Sequence, residues 1–169
     1  MRRALNAKLI PRRVAELPKD LREHVLHEDF VRFTKGKLRL MLVVVDKYRW
    51  IPKVGQALVG DEDSPGRCHG IVYPLTWTVE NPTTGKTRQE FAPEIMSLMV
   101  LSKDKLTGSV LTHECVHAAF NYAYRVSSQS SPWKHAVTED ADKSEEICYP
   151  AGLIMQAVLG SLHRKGLVE

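Results

Sequence analysis

Hydrophobic residues in the first third of the chain change their spacing at several points, and each change predicts a new element. In residues 18–33 they recur at intervals of three and four, which predicts a helix that begins at Pro18 and ends before Gly36. Residues 38–48 are dominated by β-branched and long apolar side chains, so we expect a strand that is buried on both faces. Residues 53–67 contain three glycines, one proline, one serine and three consecutive acidic residues, and they predict a loop.

The middle of the chain alternates strand-like segments with turn residues. Residues 71–79 predict a second strand, and Pro74 within it indicates a sheet edge or a bulge. The turn residues Asn81-Pro82-Thr83-Thr84-Gly85 follow, and residues 86–91 can return as the second arm of a hairpin. After Pro93, residues 94–102 predict a further strand.

Two long helical patterns occupy the last third of the chain. The first covers residues 106–124, and a loop is expected over residues 127–134. The second begins in the acidic residues 138–142 and continues to Lys165, with Gly166 as its stop and Pro150 expected to kink or divide it. Helix, small sheet and two consecutive helices together predict an α+β domain.

Length and composition are those of one globular domain. The 169 residues are 43% hydrophobic and 26% charged, so we treat residues 1–169 as one domain with residues 1–16 as a flexible basic leader. Three cysteines are too few for a disulfide scaffold and indicate a reducing, cytoplasmic compartment. The longest apolar run, residues 40–45, is far shorter than the about 20 residues of a spanning helix, so we expect no membrane partner and no secretory signal.

The net charge of +4 is concentrated at the amino terminus. Five of the 24 basic residues lie in the first thirteen positions without any acidic residue, and the rest of the chain nearly balances its 20 acidic residues. A nucleic-acid-binding domain would carry its basic residues on the folded surface. We therefore expect no nucleic-acid partner, and a contact of the leader with DNA or RNA is the weakest function that we consider.

The most specific chemical motif is His113-Glu114-Cys115-Val116-His117, inside the first long helix. Residues four apart lie on one face of a helix, so both imidazoles can bind one metal ion with Glu114 beside them. This is the HExxH arrangement, in which the two histidines bind Zn²⁺ and the glutamate is the general base.

A catalytic zinc site usually has three protein ligands, and Glu145 and Glu146 on the following helix are the candidates for the third. Glu145 has a cysteine and a glycine at +3 and +7 on its own face, which lets two helices approach each other. Glu146 has a tyrosine and a leucine there, which would hold the helices apart. Packing favours Glu145, and Glu146 stays the alternative.

The pentad followed by a glutamate-bearing helix resembles the zincin metallopeptidases of the gluzincin type, over about residues 95–165. The small size is similar to that of minimal zincin-like peptidases of phage and other mobile elements. The resemblance implies a small mixed sheet packed on the active-site helix and the glutamate-bearing helix, with an edge strand over the cleft. Residues 94–102 are the candidate for that strand, which would hold an extended peptide.

The resemblance also implies the activity. A zinc metalloendopeptidase would hydrolyse peptide or protein substrates with a water that Zn²⁺ activates and Glu114 deprotonates. Its place would be the cytoplasm, and the host cytoplasm if the chain is phage-encoded.

Two details of the site stay open. Many gluzincins have a carboxylate four residues after the ligand glutamate, where this chain has Tyr149, so the residue that orients His113 is not identified. For the donor that stabilises the oxyanion, Tyr149 and His135 are nearest in sequence, and Tyr124 shares the helical face of the two histidines. The alternative function is accordingly a weak or inactive zinc-binding zincin-fold module that binds a host protein, as a phage-encoded chain would.

Other residues of metal-ligand type receive structural interpretations. We expect His24 and His27 on an exposed helix face, Cys68 and His69 without a partner pair for zinc, and Cys115 packed inward.

Overall fold

The computed structural model describes residues 11–34, 38–60, 68–81, 83–92, 94–127 and 141–169, and for residues 77–80, 87–89 and 141–146 it describes the backbone alone. Short 3-10 turns cover Val14–Glu16, Tyr48–Trp50 and Lys103–Lys105. The helices and strands are α1 (Lys19–Arg22), β1 (Val25–Arg32), β2 (Arg39–Val45), α2 (Ile51–Val59), β3 (Gly70–Pro74), β4 (Thr76–Glu80), β5 (Thr87–Phe91), β6 (Ile95–Ser102), α3 (Gly108–Ser127) and α4 (Ala141–Arg164).

Four strands form a mixed sheet in the order β1-β2-β6-β3. The central pair β2 and β6 is parallel, whereas β1 and β3 run antiparallel to their neighbours at the two edges. Strands β4 and β5 form a separate hairpin. The predicted α+β class with a small mixed sheet is therefore confirmed.

Strand β2 is buried on both faces, as its composition predicts, because side chains alternate across a sheet and each face is covered by helices. One face packs with α3 and α4, and the other packs with α2. The alternation divides the strand between two cores: Leu40, Leu42 and Val44 in the first, and Met41, Val43 and Val45 in the second.

The helix predicted over residues 18–33 is wrong beyond its first turn. Helix α1 has four residues, and β1 pairs with β2 from Val25 opposite Val45 to Arg32 opposite Arg39. The spacing of apolar residues predicted a helix here because β1 contributes side chains to both cores, with Phe30 packed on one face and Val31 on the other. An edge strand with apolar residues on both faces has no clean alternation, and its pairing with β2 decides its conformation.

The loop predicted over residues 53–67 is wrong for its first part, which lies in α2. Pro52 occupies the first turn of that helix, and Gly60 ends it with a φ of 70°. Gly60, one of the residues that suggested a loop, is thus the stop signal of a short helix. Residues 61–67 lie outside the described part.

The predicted strand over residues 71–79 divides at Leu75 into β3 and β4, and Pro74 ends β3 at a sheet edge as expected. The hairpin is confirmed by β4 and β5, and the Asn81 side chain accepts hydrogen bonds from the turn N–H groups of Thr83 and Thr84. Residues 94–102 do form a strand, β6, but its expected place at the sheet edge is wrong. All its residues are buried between β2 and β3, so β3 is the edge strand on this side.

Both long helices are confirmed. Helix α3 extends to Ser127, and α4 continues through Pro150 without being divided, until Gly166 with a φ of 67° ends the turn that follows it. The loop predicted over residues 127–134 lies almost wholly outside the described part. No helix in the described ranges is long and apolar enough to cross a membrane.

The described end of the basic leader packs on the domain. Val14 is buried, the Arg12 N–H donates to the Leu58 carbonyl at 2.9 Å, and Arg13 pairs with Glu28 at 2.6 Å. The other leader residues, 1–10, lie outside the described part.

Candidate active site

Helix α3 places the pentad at the surface of the domain. Its buried stripe, which includes Leu111, Cys115 and Ala118, packs on the first core. Cys115 is 1% exposed, as predicted for an inward-facing residue, and burial raises the pKa of its thiol to about 12. His113 and His117 are exposed because they lie on the other side of the helix.

The two imidazoles converge. Their Nε2 atoms lie 3.0 Å apart, with the ring centroids 4.6 Å apart and the rings at 82°. Two nitrogen ligands that each lie about 2.0–2.1 Å from a tetrahedral zinc are about 3.3–3.4 Å from each other. A small increase in the distance between the two Nε2 atoms would therefore admit the ion. At 3.0 Å the same nitrogens can share one proton, with one ring donating and the other accepting.

The pKa of His117 is lowered, first by burial and then by the neighbouring charge of His113. A lowered pKa favours the neutral imidazole, which is the form that binds a metal. The geometry of the pair and the lowered pKa of His117 therefore fit a metal ion.

Glu114 lies between the helix and the edge strand β3. It is 5% exposed, and a Cβ added to Gly70 on β3 would lie 2.7 Å from its Cγ and 3.0 Å from its Oε1. Burial raises the pKa of the Glu114 carboxyl, and the charge of His113 opposes that shift in part. A carboxyl whose pKa is raised from its ordinary value towards neutrality is suited to accept a proton at neutral pH.

A cleft of about 410 Å³ opens beside the pentad, between the start of β3 and the first turns of α3. Its lining is mixed in chemistry and comes from both elements: Cys68, His69, Gly70, Ser109, Val110, His113 and Glu114. Glu114 thus lines a space large enough for part of a substrate.

Cys68 and His69, to which we assigned no role from the sequence, belong to this cleft. Burial and the nearby charge of Glu114 raise the pKa of the Cys68 thiol, and the His69 ring contacts the Tyr48 ring edge-on at 5.9 Å. Forty-odd residues separate them from the pentad, and no local pattern connects the two segments. The one available signal was their position directly before a predicted strand.

The third metal ligand is not placed by the described side chains. Glu145 and Glu146 belong to the first turns of α4, where the backbone alone is described. Among the side chains that are described, no group of three histidine, cysteine, aspartate or glutamate residues could hold a metal ion. Both glutamates stay predictions.

Helices α3 and α4 do pack together, with Thr112 Oγ1 donating to Met155 Sδ at 3.9 Å. A Cβ added to Gly152 would meet nothing within 4 Å, so the close helix approach that favoured Glu145 is not found at that glycine. Position 145 nevertheless lies on the same stripe of α4 as the exposed Cys148 and Gly152.

The candidate oxyanion donors are separate from the described cleft. Tyr149 on α4 is 68% exposed, and the Tyr124 ring packs against Phe91 with centroids 5.6 Å apart. Neither of them lines the cleft. His135 lies outside the described residues.

No protein-family model, curated protein or solved structure matches the chain.

Proposed function

We propose that the chain is a zinc-dependent metalloendopeptidase of the zincin type. The observation that carries this proposal is the convergence of the His113 and His117 Nε2 atoms, 3.0 Å apart, beside a buried carboxylate that faces a cleft. Two imidazoles and a glutamate in this order are the metal ligands and the base of the HExxH chemistry. When bound, zinc would polarise both the attacking water and the scissile carbonyl.

In this proposal His113 and His117 hold the metal, and Glu145 or Glu146 completes the ligand set. Glu114 accepts the proton of the attacking water and passes it to the leaving amine. Its raised pKa brings the proton affinity of the carboxylate closer to that needed for both transfers near neutral pH. Gly70 supports this role, because any larger residue there would displace the Glu114 side chain.

We further propose that β3, rather than residues 94–102, holds the substrate. It is the edge strand next to α3, it runs antiparallel to β6, and it begins at the Gly70 contact with Glu114. An extended peptide can pair with such an edge through backbone hydrogen bonds. Pro74 has no N–H, so this pairing would use the residues before it.

The experiment combines zinc analysis with cleavage of a peptide library. We expect one zinc ion per chain, lost in His113→Ala and kept in Glu114→Gln. Glu114→Gln should lower the cleavage rate by about 10²–10⁴-fold, because the amide cannot accept the proton. Cleavage that Glu114→Gln leaves unchanged, or a protein without zinc that cleaves equally well, would contradict the mechanism.

A second candidate function is a zinc-binding module that engages a host protein without turnover. The observation that favours it is Tyr149, which stands where a gluzincin has a carboxylate and is 68% exposed on α4. Exposed tyrosines suit protein interfaces, since the ring is apolar and the hydroxyl can form hydrogen bonds. This candidate predicts partner binding that survives Glu114→Gln, no cleavage of any peptide, and loss of binding in Tyr149→Ala.

A further inference from the structure

The parallel pairing of β2 and β6 brings two distant basic segments together. Val45 at the end of β2 lies opposite Ser102 at the end of β6, so the chain leaves both strands at the same end of the sheet. The turns that follow are in contact, and the Tyr48 N–H donates to Asp104 Oδ1 at 2.9 Å.

The antiparallel strand β3 begins at this end, with Gly70 opposite Leu101. The candidate active-site cleft lies here as well, since Gly70 is part of its lining.

Five exposed cationic side chains surround these turns, and we call them the basic rim: Lys47, Arg49, Lys53, Lys103 and Lys105. The two acidic residues within the same turns have partners of their own. Asp104 accepts the hydrogen bond from Tyr48, and Asp46 Oδ2 lies 3.2 Å from His24 Nδ1. With five cations against these two carboxylates, positive charge is in excess in and beside the two turns.

Aromatic contacts join the basic rim to the cleft. The Lys105 Nζ lies 5.7 Å from the centroid of the Tyr48 ring, and the same ring contacts His69 at 5.9 Å. His69 is part of the cleft lining. A ligand that leaves the cleft past His69 would meet Tyr48 and then the cations.

The aromatic residues of this surface do not form a stacking platform for nucleobases. The Trp50 ring stacks on His24, with centroids 3.9 Å apart at 15°. Lys53 Nζ and the Arg49 guanidinium carbon lie over the same ring at 5.0 and 5.5 Å. Because binding of single-stranded nucleic acid depends on free aromatic faces, these contacts favour an acidic polypeptide over DNA or RNA.

We propose that the basic rim binds an acidic segment of the polypeptide that enters the cleft, so that the enzyme selects substrates with glutamates or aspartates flanking the cleaved bond. The identity of this polypeptide as a substrate rests on the proposed function, whereas the rim as an acidic-peptide surface does not. Exposed ion pairs are individually weak, so several of them must act together.

The test measures binding separately from cleavage. Zinc-loaded Glu114→Gln protein is titrated against fluorescent peptides with one central sequence, flanked on either side by a run of glutamates or, in the matched peptide, glutamines. One of the two glutamate peptides places its charged run next to the basic rim. We expect this peptide to bind about tenfold more tightly than its matched glutamine peptide, and the difference in affinity should vanish at high salt. Lys47→Gln/Lys103→Gln/Lys105→Gln should remove the advantage.

The matched control is Lys19→Gln/Lys86→Gln/Lys165→Gln, which removes three exposed lysines from other elements and should keep the advantage. Equal affinity for both peptides, or equal losses in the two triple variants, would overturn the proposal. A single-stranded oligonucleotide of equal charge that binds more tightly than the peptide, and that needs the basic rim, would overturn it in favour of nucleic acid.

Cleavage by the wild-type chain separates this inference from the proposed function. Cleavage of both peptides at equal kcat/KM overturns the basic rim and leaves the peptidase intact. Binding preference without cleavage of either peptide supports the rim as a partner surface and counts against the peptidase.

Discussion

Gly70 on the edge strand lies directly against the side chain of Glu114 on α3, where an added methyl group would come within 2.7 Å of the glutamate Cγ. We expect Gly70→Ala to displace the carboxylate and to destabilise the fold by about 1–3 kcal/mol, the usual cost of overpacking. Cleavage should fall by at least about tenfold, because a displaced base loses its alignment with the water.

Urea unfolding and kcat/KM measure the two effects of Gly70→Ala. The control is Gly160→Ala on α4, where the nearest atom is the flexible end of Arg164 at 3.5 Å. That variant should keep its activity and gain about 0.5–1 kcal/mol, since alanine is favoured over glycine inside a helix. A Gly70→Ala protein with unchanged activity would show that Glu114 needs no such positioning.

The matched variants Glu145→Gln and Glu146→Gln test which residue completes the proposed zinc site. We expect Glu145→Gln to weaken zinc binding by more than about 100-fold, the upper range for losing a residue that only supports a ligand. Glu146→Gln should change zinc affinity by less than tenfold, which is about 1.4 kcal/mol. Competition with a chromophoric chelator gives both affinities, and the reverse result would assign the ligand to Glu146.

The pKa of Glu114 predicts how stability depends on pH in the metal-free protein. Its folded-state pKa is raised above the unfolded value, so the protonated carboxyl favours the fold at low pH, and this contribution is lost as the pH rises through the folded pKa. Glu114→Gln, which stays neutral, should therefore be more stable than wild type at pH 7 and nearly equal to it at about pH 4. Denaturant unfolding with a chelator measures both, and a difference that does not change with pH would contradict the burial of this charge.

The lowered pKa of His27 predicts the opposite dependence of stability on pH, with a loss of stability as the pH falls. Its Nε2 lies 2.9 Å from Ser161 Oγ, which donates to Asp29 Oδ2 at 2.5 Å, so the cluster joins β1 to α4. Burial, the largest effect, lowers the pKa of His27, followed by the opposing charge of Asp29 and then the like charges of Lys165 and Arg164. A lowered folded pKa means that stability is fully present above the unfolded value of about 6.5 and is lost as the pH falls through the folded pKa.

His27→Gln should remove this acid-side loss while keeping a polar group near Ser161. Thermal unfolding between about pH 7.5 and pH 5 would measure it, since the window begins near the unfolded pKa. Ser161→Ala serves as the comparison and should cost about 1–3 kcal/mol at both ends of this pH range, because it removes a buried hydroxyl that donates to the Asp29 carboxylate. If wild type and His27→Gln showed the same dependence of stability on pH, His27 would not be the cause of the acid-side loss.

Local periodicity was sufficient for the parts of this protein that depend on neighbours in the chain. The pentad is recognisable because residues four apart share a helix face, and the structure brings His113 and His117 together by that rule alone. The same holds for three elements. The long runs of helical spacing in α3 and α4 predict helices, and the run of β-branched and apolar residues in β2 predicts a strand buried on both faces.

Tertiary structure decided everything that depends on which segments pair. Strand β1 shows helical spacing in its sequence and becomes a strand because β2 offers it hydrogen bonds, and β6 is interior because β3 covers its other side. The sheet also brings Cys68 and His69 to the pentad, and it brings the turn after β2 into contact with the turn after β6. No local pattern contains this information, since strand order is set by long-range contacts between residues that lie dozens of positions apart in the chain.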